Sequence, residues 1–139
     1  MNVLIVESDP DLGQLWQRHM VRQGLDTRLE SGQTPAISAL QTGQFDVIVL
    51  DLVLQHGSAL AVADYASYRH PEAQIVFVNS TSFFSDGSIF ALCANARAFV
   101  QTDTPPEDLA AMVAHYGRGL SGVHADAGKR ATPEIFSKS

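Results

Sequence analysis

Carboxylates in this sequence directly follow short apolar segments. Asp51 ends the segment DVIVLD (46–51), and Glu7 and Asp9 come just after VLIV (3–6). An ionised carboxylate inside an apolar core costs several kcal/mol unless a partner compensates its charge. We therefore expect Asp51 at an exposed strand end, where it has a partner or a chemical role.

Five apolar segments alternate with stretches of helical periodicity, and these elements must position the carboxylates. The segments are VLIV (3–6), LDTRLE (25–30), DVIVLD (46–51), QIVFV (74–78) and RAFV (97–100). Apolar strands that alternate with helices are typical of a parallel sheet covered by helices on both faces. The predicted fold class is therefore a doubly wound α/β domain.

Helix starts are marked by capping residues. Asp9-Pro10 and Thr34-Pro35 each place proline after an N-cap residue, and T-P-P-E (104–107) predicts a capping box. Apolar spacing predicts two further helices, over about 58–69 and about 86–94.

Charge and cysteine content narrow the class of protein. Residues 1–119 contain 13 acidic residues, six arginines and no lysine, and the whole chain has a formal net charge of −6. Such a surface argues against direct nucleic-acid binding, because that binding needs basic groups to displace counterions. The single cysteine, Cys93, excludes an internal disulfide. With no basic leader and no membrane-spanning apolar run, the sequence favours the cytoplasm.

The composition also predicts the domain organisation. We expect one domain over residues 1–119 and a flexible tail over 120–139. The tail is rich in Gly, Ser and Ala, shows no periodicity, and contains both lysines of the chain, Lys129 and Lys138.

Ligands of open α/β sheets bind beyond the carboxyl ends of the strands, and several polar residues follow those ends here. They are Glu7, Ser8 and Asp9 after strand 1, Asp51 after strand 3, Asn79 and Ser80 after strand 4, and Thr102 after strand 5. Neighbouring strands 1 and 3 would bring Glu7 and Asp51 into one pocket. Clustered carboxylates repel each other, so this pocket favours a hard cation with oxygen ligands.

Three motifs give the chain a family resemblance. VLIVESDPDL (3–12), DVIVLDLVLQHGSAL (46–60) and NARAFVQT (95–102) resemble, in order and spacing, a response-regulator receiver domain of two-component systems. The resemblance covers residues 1 to about 118. It implies a flavodoxin-like (βα)5 sheet of strand order 2-1-3-4-5.

The resemblance also implies a function, which is to accept a phosphoryl group from a histidine kinase or phosphotransfer protein. The phosphoacceptor would be Asp51. Mg²⁺ would be held by the residues after strand 1 (Glu7, Ser8 and Asp9), by Asp51 and by the backbone carbonyl of Val53. Partners would be the kinase and either a downstream protein or a second copy, docked on the face of helix 4, strand 5 and helix 5.

The sequence departs from the family pattern at its most charged positions. Ser8 stands where the family has a second acid, so Mg²⁺ is expected to bind weakly or not at all. Asn79, followed by Ser80, stands at the position of the switch threonine, and Thr102 stands at the position of the lysine. Phe99 keeps the aromatic position without a hydroxyl. The resemblance thus implies an atypical receiver with a degenerate site.

Several alternatives stay open at this stage. Asp51 is either a working phosphoacceptor or a leftover acid in a phosphorylation-independent pseudo-receiver, and Asp9 is either a metal ligand or an N-cap. A phosphatase with a nucleophilic strand-end Asp would need a second Asp where Val53 stands. The chain could also be the receiver portion of a longer regulator.

An apolar stretch over residues 81–96 predicts a contact surface. It contains Phe83, Phe84, Ile89, Phe90, Leu92 and Cys93 but one acidic residue and no base. That is more apolar surface than one buried helix stripe needs, which favours a partner site over extra core packing.

Overall fold

The structure is a computed structural model, and it describes residues 1–79, 95–121 and 134–135, with backbone alone for 118–121 and 134–135. Its elements, in chain order, are β1 (Asn2–Val6), α1 (Pro10–Arg22), β2 (Asp26–Glu30), α2 (Gln33–Thr42), β3 (Val47–Asp51), α3 (Ala59–Arg69), β4 (Gln74–Asn79), β5 (Ala96–Gln101), α4 (Pro106–Ser121) and β6 (Glu134–Ile135). The helix predicted over 86–94, and residues 81–94 of the apolar stretch predicted over 81–96, lie outside the described residues.

All strands of the sheet are parallel, in the order β2-β1-β3-β4-β5-β6. The predicted doubly wound, flavodoxin-like arrangement with strand order 2-1-3-4-5 is therefore confirmed. The two-residue strand β6 is an addition, since the sequence predicted a flexible tail over 120–139. The last helix also continues to Ser121, two residues beyond the predicted domain end.

Helices cover both faces of the sheet, which explains why its central strands β1, β3 and β4 are almost continuously apolar. One face packs α1 and α4 against alternate strand residues, among them Val3, Ile5, Val47, Val49, Val76 and Val78. The other packs α2 and α3 against Leu4, Val6, Ile48, Leu50, Ile75 and Phe77. None of the helices in the described ranges combines the length and the apolar character needed to cross a lipid bilayer.

The helix starts predicted at Asp9 and near Ser58 are confirmed, the start predicted at Thr34 is wrong, and the last helix begins at Pro106, within the predicted T-P-P-E box. Asp9 caps α1, where its Oδ1 accepts from the N–H groups of Asp11 (3.0 Å) and Leu12 (3.4 Å). The helix predicted over 58–69 is α3, whose N-cap Ser58 accepts from the Ala61 N–H at 3.2 Å. Thr34 is not an N-cap, because α2 begins at Gln33 after Gly32.

Contacts with the loop before α3 explain this early start of α2. The Gln33 N–H donates to the His56 carbonyl at 3.0 Å, and Gln33 Oε1 accepts from the Ser58 N–H at 2.8 Å. The Gln33 N–H at the start of α2 is therefore satisfied by the His56 carbonyl, and it needs no side-chain cap from its own helix.

Trp16 is the largest side chain of the core beneath α1 and is 1% exposed. We expect Trp16→Ala to lower the free energy of unfolding by about 3–5 kcal/mol, since it removes a large buried ring. Gln14→Ala, on the exposed side of the same helix, should change it by less than about 0.5 kcal/mol. Urea unfolding followed by circular dichroism measures both, and equal effects would contradict this account of the core.

Candidate functional site

The carboxyl ends of the two central strands bring two acidic side chains together. β1 and β3 pair in register up to Val6 and Leu50, and Glu7 and Asp51 are the next residues of each strand. Their carboxyl groups are close enough for Asp51 to raise the pKa of Glu7. The structure therefore brings Glu7 and Asp51 together at one edge of the sheet.

Glu7 is the buried member of this pair, with 4% of its surface exposed. Its Oε2 accepts from the Asp9 N–H at 3.0 Å, whereas Oε1 receives no hydrogen bond from an N–H or O–H donor of the described residues. Burial, followed by the hydrogen bond and the charge of Asp51, raises the pKa of Glu7 to about 8. Glu7 is thus largely protonated at neutral pH when no cation is bound.

Asp51 is half-buried and held by the loop that follows it. Its Oδ1 accepts from the Val53 N–H at 2.9 Å, which fixes the carboxylate at the end of β3 and places Val53 beside it. The Leu52 N–H donates to the Val78 carbonyl at 2.8 Å, so the chain stays attached to β4 beyond Asp51. The Val53 side chain points outward and is 63% exposed.

Ser8 joins three loops at this edge of the sheet. Its hydroxyl donates to the Ser31 carbonyl before α2 and accepts from the Gln55 N–H before α3, both at 2.9 Å. The Ser8 hydroxyl, predicted among the metal-binding groups, is therefore engaged by two main-chain groups. The Asp9 carboxylate is engaged likewise, as the N-cap of α1.

The predicted residues of strands 4 and 5 lie at the same edge but deeper. Asn79, at the end of β4, is 1% exposed, and its carbonyl accepts from the Thr102 N–H at 2.9 Å. Phe99 is 1% exposed and belongs to the core on the α2 and α3 face. Ser80 lies outside the described residues.

The donor set for a cation is small. Within residues 1–79 and 95–121, no three His, Cys, Asp or Glu side chains are grouped closely enough to hold a metal ion. The oxygen donors at the site are the carboxyl groups of Glu7 and Asp51, with the main chain of Val53 adjacent. Hard oxygen donors of this kind suit Mg²⁺, which also keeps several water ligands.

Sequence analysis missed Ser31, Gln55 and Gly13. The first two act only through main-chain groups, which any residue carries, so no pattern in the sequence signals them. At Gly13, an added Cβ would lie 2.7 Å from Leu29 Cδ1 and 3.5 Å from Glu7 Cβ. The absence of a side chain there lets α1 pack closely against β2 and the base of Glu7.

The raised pKa of Glu7 predicts how stability depends on pH in metal-free protein. Between about pH 4.5 and pH 8 the folded state binds more protons than the unfolded chain, so stability falls as pH rises. We expect a loss on the order of 2–4 kcal/mol across this window, and Glu7→Gln should remove most of it. Urea unfolding in EDTA at several pH values measures the slope. Glu72→Gln, at an exposed site, is the control, and an unchanged slope in Glu7→Gln would refute the assignment.

Comparisons with known proteins point to one family. No model of a protein family matches the sequence. The response regulator protein PilR of Pseudomonas aeruginosa is 33% identical over 106 residues, which cover 76% of this chain. The match spans 23% of PilR, so this chain corresponds to about a quarter of that protein.

Solved structures share the fold at low sequence identity. A CheY-like receiver domain protein from Methanospirillum hungatei superposes with a TM-score of 0.78 at 16% identity, covering 87% of this chain and 96% of that one. TrrA of Thermotoga maritima, in complex with Mg²⁺-BeF, gives 0.72 at 18% identity, covering 83% and 97%. A Burkholderia pseudomallei response regulator with a phosphorylated aspartic acid and a calcium ion gives 0.72 at 18% identity, covering 94% and 75%.

Sequence similarity to PilR and the shared fold agree with the motifs at the ends of β1 and β3. This chain belongs to the response-regulator receiver domains of two-component systems.

Proposed function

We propose that this receiver accepts a phosphoryl group on Asp51 from a histidine kinase or phosphotransfer protein. The observation that carries the proposal is the position of Asp51, whose carboxylate ends β3 beside Glu7 and is oriented by the Val53 N–H. A carboxylate oxygen of Asp51 would attack phosphorus as the phosphorus–nitrogen bond of the donor phosphohistidine breaks. The negative charge of the transferred group then resides beside Glu7.

Mg²⁺ would counter that charge. We assign its protein ligands to Glu7, Asp51 and the Val53 carbonyl, because the Ser8 hydroxyl and the Asp9 carboxylate already serve main-chain donors and acceptors. Binding would release the proton of Glu7, since metal ligands must be deprotonated. The Mg²⁺ and calcium ion in the two receiver structures described above support a divalent cation at such a site.

The same site lacks positive charge of its own. Residues 1–119 contain no lysine, and Thr102 stands at the lysine position that the family resemblance implies. Catalysis of phosphoryl transfer rests on positioning and charge neutralisation. A missing preorganised donor raises the barrier by about 2–4 kcal/mol, so phosphorylation of Asp51 is expected to be slow. Asn79, Ser80 and Phe99, at the switch positions, would then hold the phosphorylated state weakly.

A phosphorylation-independent pseudo-receiver is the second candidate. It is favoured by the Ser8 hydroxyl, which ties the loops before α2 and α3 together without a metal or a phosphoryl group. Output in either case would pass through protein contacts in the cytoplasm, on the face formed by the predicted helix 86–94, β5 and α4. Receiver domains are generally non-enzymatic signalling domains, and the alternative of a strand-end-Asp phosphatase lacks its second Asp at Val53.

Incubation with acetyl phosphate and Mg²⁺ tests the proposal. Intact mass spectrometry should show slow gain of one phosphoryl group in the wild type and in Asp64→Asn, an exposed control on α3. Asp51→Asn should gain none, since its amide is a poor nucleophile. If the wild type gains no phosphoryl group, the phosphorylation proposal is refuted and the pseudo-receiver is favoured. If Asp51→Asn gains one, the phosphoacceptor is another residue.

Ser8→Asp tests whether the missing acid limits cation binding. A third carboxylate beside Glu7 and Asp51 should lower the Mg²⁺ dissociation constant by about tenfold or more, as measured by isothermal titration calorimetry. Ser8→Ala removes the same loop contacts without adding a ligand, so its affinity should not improve. Equal affinities of Ser8→Asp and the wild type would refute the assigned site.

A further inference from the structure

The C-terminal segment covers the open edge of the sheet. Strand β6 runs parallel to β5, with Glu134 opposite Ala98 and Ile135 opposite Phe99. Without β6, the six residues of β5 would be the last strand of the sheet, with their outer N–H and C=O groups unpaired by any strand.

β5 lacks the features that keep an exposed edge strand from pairing with another chain. Its sequence, ARAFVQ, contains no proline and one charge. That charge, on Arg97, packs on the Tyr116 ring of α4, 4.5 Å from its centre, instead of guarding the edge. β6, by contrast, is two residues long and has Pro133 before it and Lys138 shortly after it, features that protect edges.

The position of α4 gives the connection from β5 to β6 a different hand from the connection between β1 and β2. α1 and α4 pack on the same face of the sheet, yet α1 leads from β1 to β2 in one direction and α4 leads from β5 to β6 in the other. Because all strands are parallel, the two connections have opposite hands. Parallel crossovers are right-handed in nearly all proteins, which makes β6 an attached segment and not a regular sixth unit of the fold.

We propose that the segment containing β6 is an intramolecular edge guard, which blocks pairing of β5 with β5 of a second copy of this chain. Identical edges can pair antiparallel about a twofold axis, so a second copy is the partner that an uncovered β5 fits. Displacement of β6 would then convert a monomer into a β5-paired dimer. This inference holds whether or not Asp51 is phosphorylated.

Proline at position 135 tests the guard in the full chain, because it removes an N–H group and disfavours strand pairing. In Ile135→Pro, hydrogen exchange of the β5 amide that faces β6, at Ala98 or Phe99, should accelerate by about tenfold or more. Its dimer dissociation constant, from analytical ultracentrifugation, should fall by about tenfold or more relative to the wild type. Ser137→Pro, two positions beyond the last residue of β6, is the matched control and should behave like the wild type.

A competing peptide identifies the surface that pairs. An excess of the synthetic peptide ATPEIFSKS (131–139) should return Ile135→Pro to the monomer, and the same peptide carrying Ile135→Pro should not. The proposal is overturned if Ile135→Pro exchanges and sediments like the wild type, or if exchange accelerates without dimer formation. A dimer that the peptide leaves intact, or a wild-type dimer that Ile135→Pro dissociates, would overturn it equally.

Discussion

Burial of both faces of the sheet is the constraint on which the site depends. Helices cover each face, so a side chain on β1, β3 or β4 points into one of two apolar cores. Only where these strands end can a carboxylate meet water or a ligand without a large desolvation cost. Glu7 and Asp51 follow the paired residues Val6 and Leu50, and the register of β1 and β3 therefore places the two acids side by side.

The carboxylates of Glu7 and Asp51 repel each other when both are ionised. In the metal-free protein a proton on Glu7, and not a neighbouring basic side chain, relieves this repulsion. No lysine is present in residues 1–119, and the ion pair between Arg28 and Glu30 lies on the surface. The raised pKa of Glu7 follows from burial together with the neighbouring Asp51. A divalent cation or a proton can each neutralise the pair, so the two compete for the same carboxyl oxygens.

Much of the fold could be predicted from sequence because it follows from local rules. Apolar strand segments, helical spacing and the N-caps Asp9 and Ser58 are local signals, and each marks an element that the structure contains. The prediction of Thr34 as an N-cap was wrong because the start of α2 depends on long-range hydrogen bonds of Gln33. The sequence was sufficient to predict which residues follow the strand ends, and Glu7 and Asp51 lie close together as expected. The hydrogen-bond partners of the Ser8 hydroxyl depend on the paths of two loops, which no periodicity in the sequence encodes.

β6 was beyond prediction for an energetic reason as well. About a dozen residues separate α4 from β6 in the sequence, and bringing the ends of such a segment together costs roughly 2 kcal/mol in chain entropy. A two-residue strand offers few backbone hydrogen bonds, each contributing about 0.5–1.5 kcal/mol net. The net stability of the pairing is the small difference between these contributions, and neither composition nor apolar pattern decides its sign.

A small net stability of the β5–β6 pairing also suits regulation of the β5 edge. A strongly paired sixth strand would close the edge of β5 permanently, and an unpaired one would leave it open to every copy of the chain. When the paired state is favoured by only a small free energy, a competing strand can change which state is populated. The weakness of the β5–β6 pairing is therefore what would make the edge of β5 responsive.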